Sequence, residues 1–344
     1  MKSRFSKPSA DVAPESLKQF EENLRLVELQ QRISATLKAQ PNRTDCLMCG
    51  KSLAEAEQFI HRTVEYRRCT NCGHIQTTVQ PPPGYPPQEE RSFSHIYPQV
   101  SPSEYESRKN RIYRPKLEWI LDCHDELKHS RDSLINARWL DLGCGGGYFL
   151  KALADVGAKR ILGLEQDSRL VQMANEALGQ KQVECYAGSL AQAVEDYEAD
   201  IYTAFFVIEH VEKIHTFFSA LGRCPSGTIF AFSVPTFGFT TLLESAFSDH
   251  FARQLDNVLH TQLYTDSSIR YGLQLAGYVP VAEWVFGQDA LDFSRLLLLN
   301  LQHHYSTTML QAASEDLARI CDQLQAVLDQ NHMADSRHVL AVKV

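Results

Sequence analysis

A glycine-rich turn between two apolar segments constrains the fold of this chain more than any other feature. Residues 139–142 (Trp-Leu-Asp-Leu) have the character of a buried strand, and residues 148–150 (Tyr-Phe-Leu) begin an apolar helix. The five residues between them are Gly-Cys-Gly-Gly-Gly. A turn of this kind lets a ligand approach the backbone closely at the carboxyl end of the first strand of a parallel sheet. It predicts an α/β fold with a ligand site at this turn.

The chain around and beyond this turn alternates between apolar strands and helical segments, a pattern typical of a parallel sheet covered on both faces. We expect strands near 138–142, 160–165, 182–187, 200–207, 227–234, 279–286 and 338–344. Helices are expected to start near Gly147, Asp167, Leu190 and Val211 and to span 266–276, with helical insertions at 239–260 and 290–330.

The spacing of the glycines separates two classes of nucleotide-binding loop. A dinucleotide fingerprint, G-x-G-x-x-G, would need a third glycine at Tyr148 or Leu150, and both frames fail. The remaining pattern, D-x-G-x-G-x-G, resembles the first motif of class I S-adenosylmethionine (SAM)-dependent methyltransferases. The segment Ile161-Leu162-Gly163-Leu164-Glu165 places a carboxylate at the end of the next strand, where it can accept hydrogen bonds from the ribose hydroxyls of an adenosine. The alternative for Glu165 is a helix-capping role, which Asp167 already fills.

Later segments match the same family in order over residues 137–286. They include Asp200 to Val211, which ends in Glu-His-Val, then Ser233-Val234-Pro235 and the stretch from His260 to Thr265. The resemblance implies a Rossmann-like seven-stranded sheet whose last strand is antiparallel, and SAM as the cofactor. The cofactor-binding residues that it implies are Asp141, Gly143, Cys144, Gly145, Gly147, Glu165, Gln166, Ser189 and Phe206.

Two histidines are candidates for proton removal from a methyl acceptor. His210 follows the fourth strand of the motif series, and His260 precedes the helix after the fifth. Histidine is a natural base near neutral pH, although either ring could instead make a structural hydrogen bond. Some relatives use Glu-x-x-Glu-His with a distant histidine to hold a divalent cation. Here Phe206 occupies the first glutamate position, so that cation site is incomplete.

Four of the nine cysteines form two CxxC pairs, Cys46/Cys49 and Cys69/Cys72. Two such pairs can supply four thiolates tetrahedrally to zinc, and a closed four-thiolate site is structural. The segment is too small for a core of its own, so folding should depend on the metal. A redox role would need one CxxC near a βαβ unit.

These patterns divide the chain into four parts. We expect a disordered start and an amphipathic helix at 1–40, a zinc-binding module at 41–80, a proline-rich linker and helical lead-in at 81–136, and a methyltransferase domain at 137–344. The lead-in residues Tyr97, Tyr105, Arg108, Arg111 and Tyr113 are candidates to close over the substrate. A cysteine module ahead of the catalytic domain is similar to bacterial sugar and natural-product methyltransferases, in which the module helps shape the acceptor pocket.

The charge and composition of the chain limit the classes of molecule that it is expected to bind. The net charge of −8 argues against nucleic acid, and residues 41–80 carry five basic and four acidic side chains. No run of 18 apolar residues and no signal-peptide core occurs, so we expect a soluble cytoplasmic protein. The favoured function is methylation of oxygen or carbon in a small molecule, sugar or biosynthetic intermediate. The alternatives are an RNA or protein methyltransferase whose zinc module recognises a macromolecule, and a non-catalytic scaffold, against which the intact glycine loop argues.

Overall fold

The strands of the described residues form two sheets, one large and one small. In the computed structural model, residues 1–12, 18–80, 100–255 and 260–344 are described. The strands are β1 (Lys2–Phe5), β2 (Glu57–His61), β3 (Val64–Arg68), β4 (Ile75–Thr77), β5 (Trp139–Leu142), β6 (Ile161–Glu165), β7 (Val183–Cys185), β8 (Ile201–Phe205), β9 (Ile229–Pro235), β10 (Gln262–Leu263), β11 (Tyr278–Val285) and β12 (Ser336–Lys343).

The helices lie mainly in the connections between the strands of the large sheet. They are α1 (Ser9–Val12), α2 (Lys18–Leu37), α3 (Pro102–Arg108), α4 (Arg114–Asp122), α5 (His124–Leu127), α6 (Arg131–Ile135), α7 (Tyr148–Asp155), α8 (Ser168–Leu178), α9 (Leu190–Asp196), α10 (Ile214–Leu221), α11 (Phe239–Ala246), α12 (Asp266–Ala276), α13 (Asp289–Leu301) and α14 (Thr307–Gln330). A π-helical turn, Lys109–Tyr113, joins α3 to α4, and a 3₁₀ turn, Ile208–His210, follows β8. No described helix is both long and apolar enough to cross a bilayer.

The large sheet has the strand order β7-β6-β5-β8-β9-β12-β11-β1. Strands β5 to β9 pair in parallel, whereas β12 is antiparallel to both of its neighbours, β9 and β11. Every residue of β5 and β9 is buried, as expected for parallel strands with both faces covered. The predicted Rossmann-like α/β fold with an antiparallel last strand is confirmed.

The sheet has eight strands rather than seven because the amino-terminal residues add one. The prediction of a disordered start is wrong for Lys2–Phe5, which pairs in parallel with the outer edge of β11. The Trp284 indole nitrogen donates to the Ser6 carbonyl at 3.0 Å, and the Arg4 guanidinium lies 4.0 Å from the Trp284 ring centroid. The open edge of β11 supplies backbone partners for this polar segment, which has no hydrophobic signal of its own.

Two apolar layers cover the large sheet. Alternate residues of the central strands face opposite sides, so Trp139 and Ala231 contribute to one layer and Leu140 and Phe230 to the other. The second layer continues into the cysteine module, whose Met48 is fully buried in it. Module and catalytic domain therefore share one apolar cluster.

The insertions differ in part from the prediction. The helix expected over 239–260 ends at Ala246, because the buried Glu244 carboxylate accepts hydrogen bonds from the backbone nitrogens of Arg253, Gln254 and Leu255 and folds the following chain back. Residues 256–259 lie outside the described residues. The insertion at 290–330 consists of two helices, α13 and α14.

The small sheet has the order β10-β4-β3-β2 and joins the cysteine module to the catalytic domain. Strands β2 to β4 belong to residues 41–80, but β10 comes from Gln262–Leu263 and pairs antiparallel with β4. The expected amphipathic helix is observed over Lys18–Leu37. The proline-rich linker at 81–87 and Tyr97 lie outside the described residues, and the predicted domain boundaries remain predictions.

Candidate active site

The glycine loop follows β5 directly and bends where only glycine is unstrained. Gly143, Gly145 and Gly147 all have positive φ values, between 53° and 73°. A side chain at Gly143 would meet Val207 at 2.8 Å, whereas a Cβ at Gly145 would meet no atom within 4 Å. The backbone at Gly145 therefore faces open space at the carboxyl end of β5, where a ligand can approach it.

The Cys144 side chain points away from that space. A Cβ on Gly163 would lie 2.6 Å from its sulfur, so the thiol packs against β6 in the buried core. The predicted contact of Cys144 with the cofactor is thus restricted to its backbone.

The Glu165 carboxylate ends β6 and holds the loop. Its Oε2 accepts a hydrogen bond from the Gly145 nitrogen at 2.9 Å, and Oε1 accepts from the nitrogens of Gln166 and Asp167 at 2.7 and 3.0 Å. A carboxylate has about four acceptor positions, so one remains for a ligand hydroxyl. Asp167 caps α8, as expected.

Asp141 lies buried beneath the loop. Its Oδ1 accepts a hydrogen bond from the Thr203 hydroxyl at 2.6 Å. Burial raises the pKa of Asp141 to about 7, and the Thr203 hydrogen bond and the Lys116 ammonium act in the opposite direction. A buried carboxylate of this kind is suited to binding a cationic group, which would restore its ordinary ionisation.

Two further residues predicted to bind the cofactor, Ser189 and Gln166, have less support from the structure. Ser189 follows β7 and caps α9, where its hydroxyl accepts a hydrogen bond from the Gln192 nitrogen. Its hydroxyl therefore has a structural role, and the predicted cofactor contact of Ser189 has no further support. Gln166 is exposed beside Glu165.

The two candidate histidines come together although fifty residues separate them in the sequence. The His210 and His260 rings stack with centroids 5.1 Å apart. His260 Nδ1 lies 3.2 Å from the Gln254 carbonyl oxygen. Because a carbonyl only accepts, Nδ1 is the donor in this contact, and Nε2 is the other ring atom that could take up a proton.

Glu209 is buried beside His210, with 3.9 Å between its carboxylate and His210 Nε2. Neither Glu209 oxygen has a hydrogen-bond partner among the described residues. Burial raises the pKa of Glu209 to about 7, and His210 opposes the shift. One ligand atom each from Glu209, His210 and His260 lie within 4.8 Å of one another. Phe206 stands where some relatives supply a further carboxylate, so three potential ligands are present.

A partly open cavity of about 140 Å³ lies next to His260. Phe206 lines it, with a positive φ of 57° that turns the chain at the end of β8. The Phe206 ring, predicted to contact the cofactor, is thus also part of this cavity. Gln254 from the 239–260 insertion lines the cavity as well, so the insertion covers the pocket.

Sequence reasoning missed Lys7, Lys116 and His338, all buried and all lining this cavity. Lys116 had a usable signal, because it lies between Tyr113 and Ile120 on the apolar side of a helix. His338 had none, since a histidine in an apolar strand usually packs in the core.

The lead-in residues cover the glycine loop instead of the acceptor side. Tyr105 donates its hydroxyl proton to the Gly146 carbonyl at 2.9 Å, and the Tyr105 and Tyr113 rings both stack on Tyr148. Arg108 lies over the Tyr148 ring, and Arg111 lies near Asp11. These residues form an aromatic cover on the loop, and their predicted closure over the substrate is not observed.

The four cysteines predicted to bind metal converge in the module. Their sulfur atoms lie within 4.8 Å of one another, with 3.6 Å between Cys46 and Cys72 and between Cys49 and Cys69. Thiolates around tetrahedral zinc at about 2.3 Å would be about 3.8 Å apart. The donor set and spacing are therefore compatible with a zinc ion.

The module holds the segment that follows His260. The Thr77 nitrogen donates to the Thr261 carbonyl at 2.9 Å, and the Thr265 hydroxyl donates to the Gly73 carbonyl at 3.0 Å. His74 Nε2 lies 2.9 Å from the Gln262 side-chain oxygen, and the Gln262 amide donates to the Val211 carbonyl at 2.8 Å. A continuous set of contacts thus joins the cysteine site to the Glu209–His210 turn.

Comparison with known proteins identifies the central part of this arrangement. Residues 140–231, from β5 into β9, match the family described as "Methyltransferase domain". No curated protein sequence matches the chain significantly.

Solved structures with a similar fold include methyltransferases that act on different molecules. Magnesium protoporphyrin IX methyltransferase from Synechocystis PCC 6803 is 14% identical, with 76% of this chain and 97% of that chain covered and a TM-score of 0.44. A putative sarcosine dimethylglycine methyltransferase from Galdieria sulphuraria is also 14% identical, with 69% and 88% covered and a TM-score of 0.44. Geranyl diphosphate C-methyltransferase from Streptomyces coelicolor A3(2) is 11% identical, with 61% and 72% covered and a TM-score of 0.38.

The family match rests on the same segment as the glycine loop, the Glu165 carboxylate and the Glu-His-Val turn. It supports a SAM-dependent methyltransferase.

Proposed function

We propose that this protein transfers the methyl group of SAM to oxygen or carbon of a small molecule, sugar or biosynthetic intermediate. The observation that carries this proposal is the pairing of an open glycine loop with a partly open cavity of about 140 Å³ at the same ends of β5 and β8. A cavity of this size suits a small acceptor group. Methyl transfer requires the two reactants to be held in line and away from water.

The cofactor side of the cleft would be formed by Asp141, the backbone of Gly143, Cys144, Gly145 and Gly147, and Glu165. The open space at Gly145 and the buried carboxylate of Asp141 are compatible with a cationic nucleoside ligand. When bound, SAM supplies a methyl group on a positively charged sulfur. We propose that Glu165 accepts a hydrogen bond from the ribose and that Asp141 stabilises the cationic methionine end.

The acceptor side would use His260 as the base. Its Nδ1 proton is directed at the Gln254 carbonyl, so Nε2 is the atom that can take a proton from the acceptor. His210 stacks on that ring and lies against the buried Glu209 carboxylate, which would stabilise positive charge on the histidine pair. His210 is the second candidate base.

The cysteine module would bind one structural zinc ion through Cys46, Cys49, Cys69 and Cys72. All four thiolates are used in such a site, so no position remains for catalysis. The contacts of Thr77, Gly73 and His74 with residues 261–265 support a positioning role, in which the module fixes the segment next to His260.

The surface of the module gives little support to a nucleic-acid partner. Arg43 pairs with Glu212, Arg67 with Glu65 and Arg68 with Glu57, and Arg62 is buried against Glu244. Phosphate binding needs lysine and arginine side chains that are free to release counterions. These pairs therefore favour a small acceptor over RNA.

The test is to incubate the protein with SAM labelled in its methyl group and separated fractions of a cell extract. We expect label in the low-molecular-weight fraction, and none with Gly145→Val. Label that appears only in RNA or protein would support the macromolecular alternative and contradict this proposal.

A further inference from the structure

The cavity beside His260 is lined by segments from distant parts of the chain. Lys7 follows β1, Lys116 lies in α4, Phe206 follows β8 and His338 lies in β12. A volume of about 140 Å³ is close to that of an engineered cavity that binds benzene. The polar groups in its wall therefore decide which small molecules fit.

Lys116 places an ammonium group in this wall without a conventional partner. The residue is only 3% exposed, and its Nζ lies 5.0 Å from the ring centroids of Phe205 and Phe206 and 5.4 Å from that of Tyr113. Within the part of the chain that the structure describes, no hydrogen bond or ion pair reaches this ammonium. Aromatic rings attract a cation, but burying one without a hydrogen-bond acceptor is costly.

His338 adds a second polar group that lacks a partner. Its side chain is fully buried, and neither ring nitrogen has a hydrogen-bond partner among the described residues. The ring stacks on Phe286 at 4.4 Å and meets the edge of Phe206 at 5.8 Å. Phe206 thus contacts both Lys116 and His338, which places the two polar groups around one aromatic ring.

Three cationic side chains line the cavity, and they differ in whether a carboxylate contacts them. Arg253 is matched by carboxylates, since it lies 3.3 Å from Asp292 and 3.4 Å from Asp335. Lys7 is buried and donates to the Arg111 carbonyl, a neutral acceptor. Among the described residues, no carboxylate contacts the ammonium groups of Lys7 and Lys116, so a bound anion could pair with them.

We propose that the acceptor molecule is a small carboxylic acid whose carboxylate binds in this cavity to Lys116 and His338. The rings of Phe206 and Phe286 contact its apolar part, and its position next to His260 presents the molecule to the base. This inference rests on the proposed methyl transfer and adds the chemical class of the acceptor.

The pKa of Lys116 gives the proposal a distinctive readout. Burial lowers this pKa to about 7, and the charges of Lys7 and Arg108 contribute to the lowering, whereas Asp141 and Glu209 oppose it. A bound carboxylate favours the charged ammonium. Binding of an anion slightly above neutral pH should therefore take up protons, and binding of a neutral molecule of the same shape should not.

The experiment is calorimetric titration of the protein, saturated with S-adenosylhomocysteine, with benzoate, benzamide and phenyl phosphate. We expect benzoate to bind roughly tenfold or more tightly than benzamide, the usual advantage of a hydrogen bond to a charged group. Titration in buffers of different ionisation enthalpy should reveal proton uptake when benzoate binds and no proton uptake when benzamide binds. Lys116→Met should remove the preference, and Lys159→Met, which changes an exposed lysine, should retain it.

Equal affinity for benzoate and benzamide, no binding of benzoate, or an unchanged preference in Lys116→Met would overturn the proposal. Tighter binding of phenyl phosphate would also contradict a carboxylate site. If Lys116→Met does not fold, the comparison of ligands and the proton uptake of the native protein still decide. Failure to bind S-adenosylhomocysteine would refute the proposed function itself, so the two failures can be distinguished.

Discussion

The two sides of the cleft are built in different ways. The cofactor side consists of Asp141, the 143–147 loop and Glu165, which lie within 25 residues of sequence and act largely through backbone geometry. The acceptor side consists of Lys7, Lys116, Phe206, His260 and His338, which converge from five separate segments. Backbone-made sites leave local sequence patterns, because glycines must stand at fixed positions. Sites made of converging side chains leave almost none.

The largest expected effect concerns the cysteine module, whose contacts with residues 261–265 support the acceptor side. In the double variant Cys46→Ser, Cys49→Ser we expect the zinc content to fall from about one equivalent to none. Structural zinc contributes about 10–16 kcal/mol to the folding of small zinc peptides, so residues 42–80 should become sensitive to protease. Turnover should be lost, whereas S-adenosylhomocysteine binding should remain.

Cys185→Ser, which changes an exposed cysteine outside the cluster, is the matched control and should keep its metal. A metal-free protein whose residues 42–80 stay protected would contradict the structural role of zinc.

Loss of the base should also affect the two sides of the cleft differently, because it should lower turnover without changing the affinity for the cofactor product. His260→Ala should reduce turnover by about 10²–10⁴-fold, the usual contribution of a positioned base, and His210→Ala should reduce it less if His260 is the base. Affinity for S-adenosylhomocysteine should barely change in either variant. Steady-state kinetics and calorimetry check this, with the exposed His304→Ala as control. Near-normal turnover in both single variants and the double variant would show that positioning alone drives the reaction.

Replacement of Glu165 should instead act on the cofactor side and weaken S-adenosylhomocysteine binding. Glu165→Ala should weaken S-adenosylhomocysteine binding by about 1–3 kcal/mol through the loss of hydrogen bonds to a charged group. Because the carboxylate also holds the Gly145 nitrogen, the melting temperature without ligand should be measured beside the affinity. Glu176→Ala, at an exposed position in α8, is the control. Unchanged affinity would remove Glu165 from the cofactor site.

The smallest expected effect is a pH dependence of the stability of the fold, outside both sides of the cleft. Burial raises the pKa of Asp329 in α14 to about 6, above its ordinary value near 4. The folded state therefore holds this proton more tightly than the unfolded chain, and the free energy of unfolding should fall as pH rises from about 4 to about 6.

Asp329→Asn should remove this dependence and stabilise the protein above pH 7 by about 1–2 kcal/mol, while Gln325 keeps its acceptor. Denaturation at several pH values measures it, with the exposed Asp316→Asn as control. A variant that is less stable than the native protein at all pH values would contradict the assignment.

The sequence was sufficient to predict the features that depend on hydrophobic periodicity, on the positions of glycines and on the spacing of cysteines. The glycine loop lies where predicted, and β12 is antiparallel as the resemblance implies. The four cysteines converge because their spacing already encodes two metal-binding turns.

The sequence was insufficient where tertiary contacts decide. Lys2–Phe5 becomes a strand only because β11 presents an open edge, and the helix after Phe239 ends early because Glu244 folds the chain back. Lys116 and His338 become candidate site residues only because the fold brings α4 and β12 together at Phe206. None of these contacts has a signature within a single segment.

The central claim, that the glycine loop binds SAM, is tested most directly by calorimetric titration with S-adenosylhomocysteine. The native protein should bind one molecule per chain. Gly145→Val places a branched side chain in the open space and should abolish binding. Gly179→Val introduces the same residue at another glycine with positive φ and open surroundings, and should bind normally. Absence of binding to the native protein, or equal binding by both variants, would contradict the account.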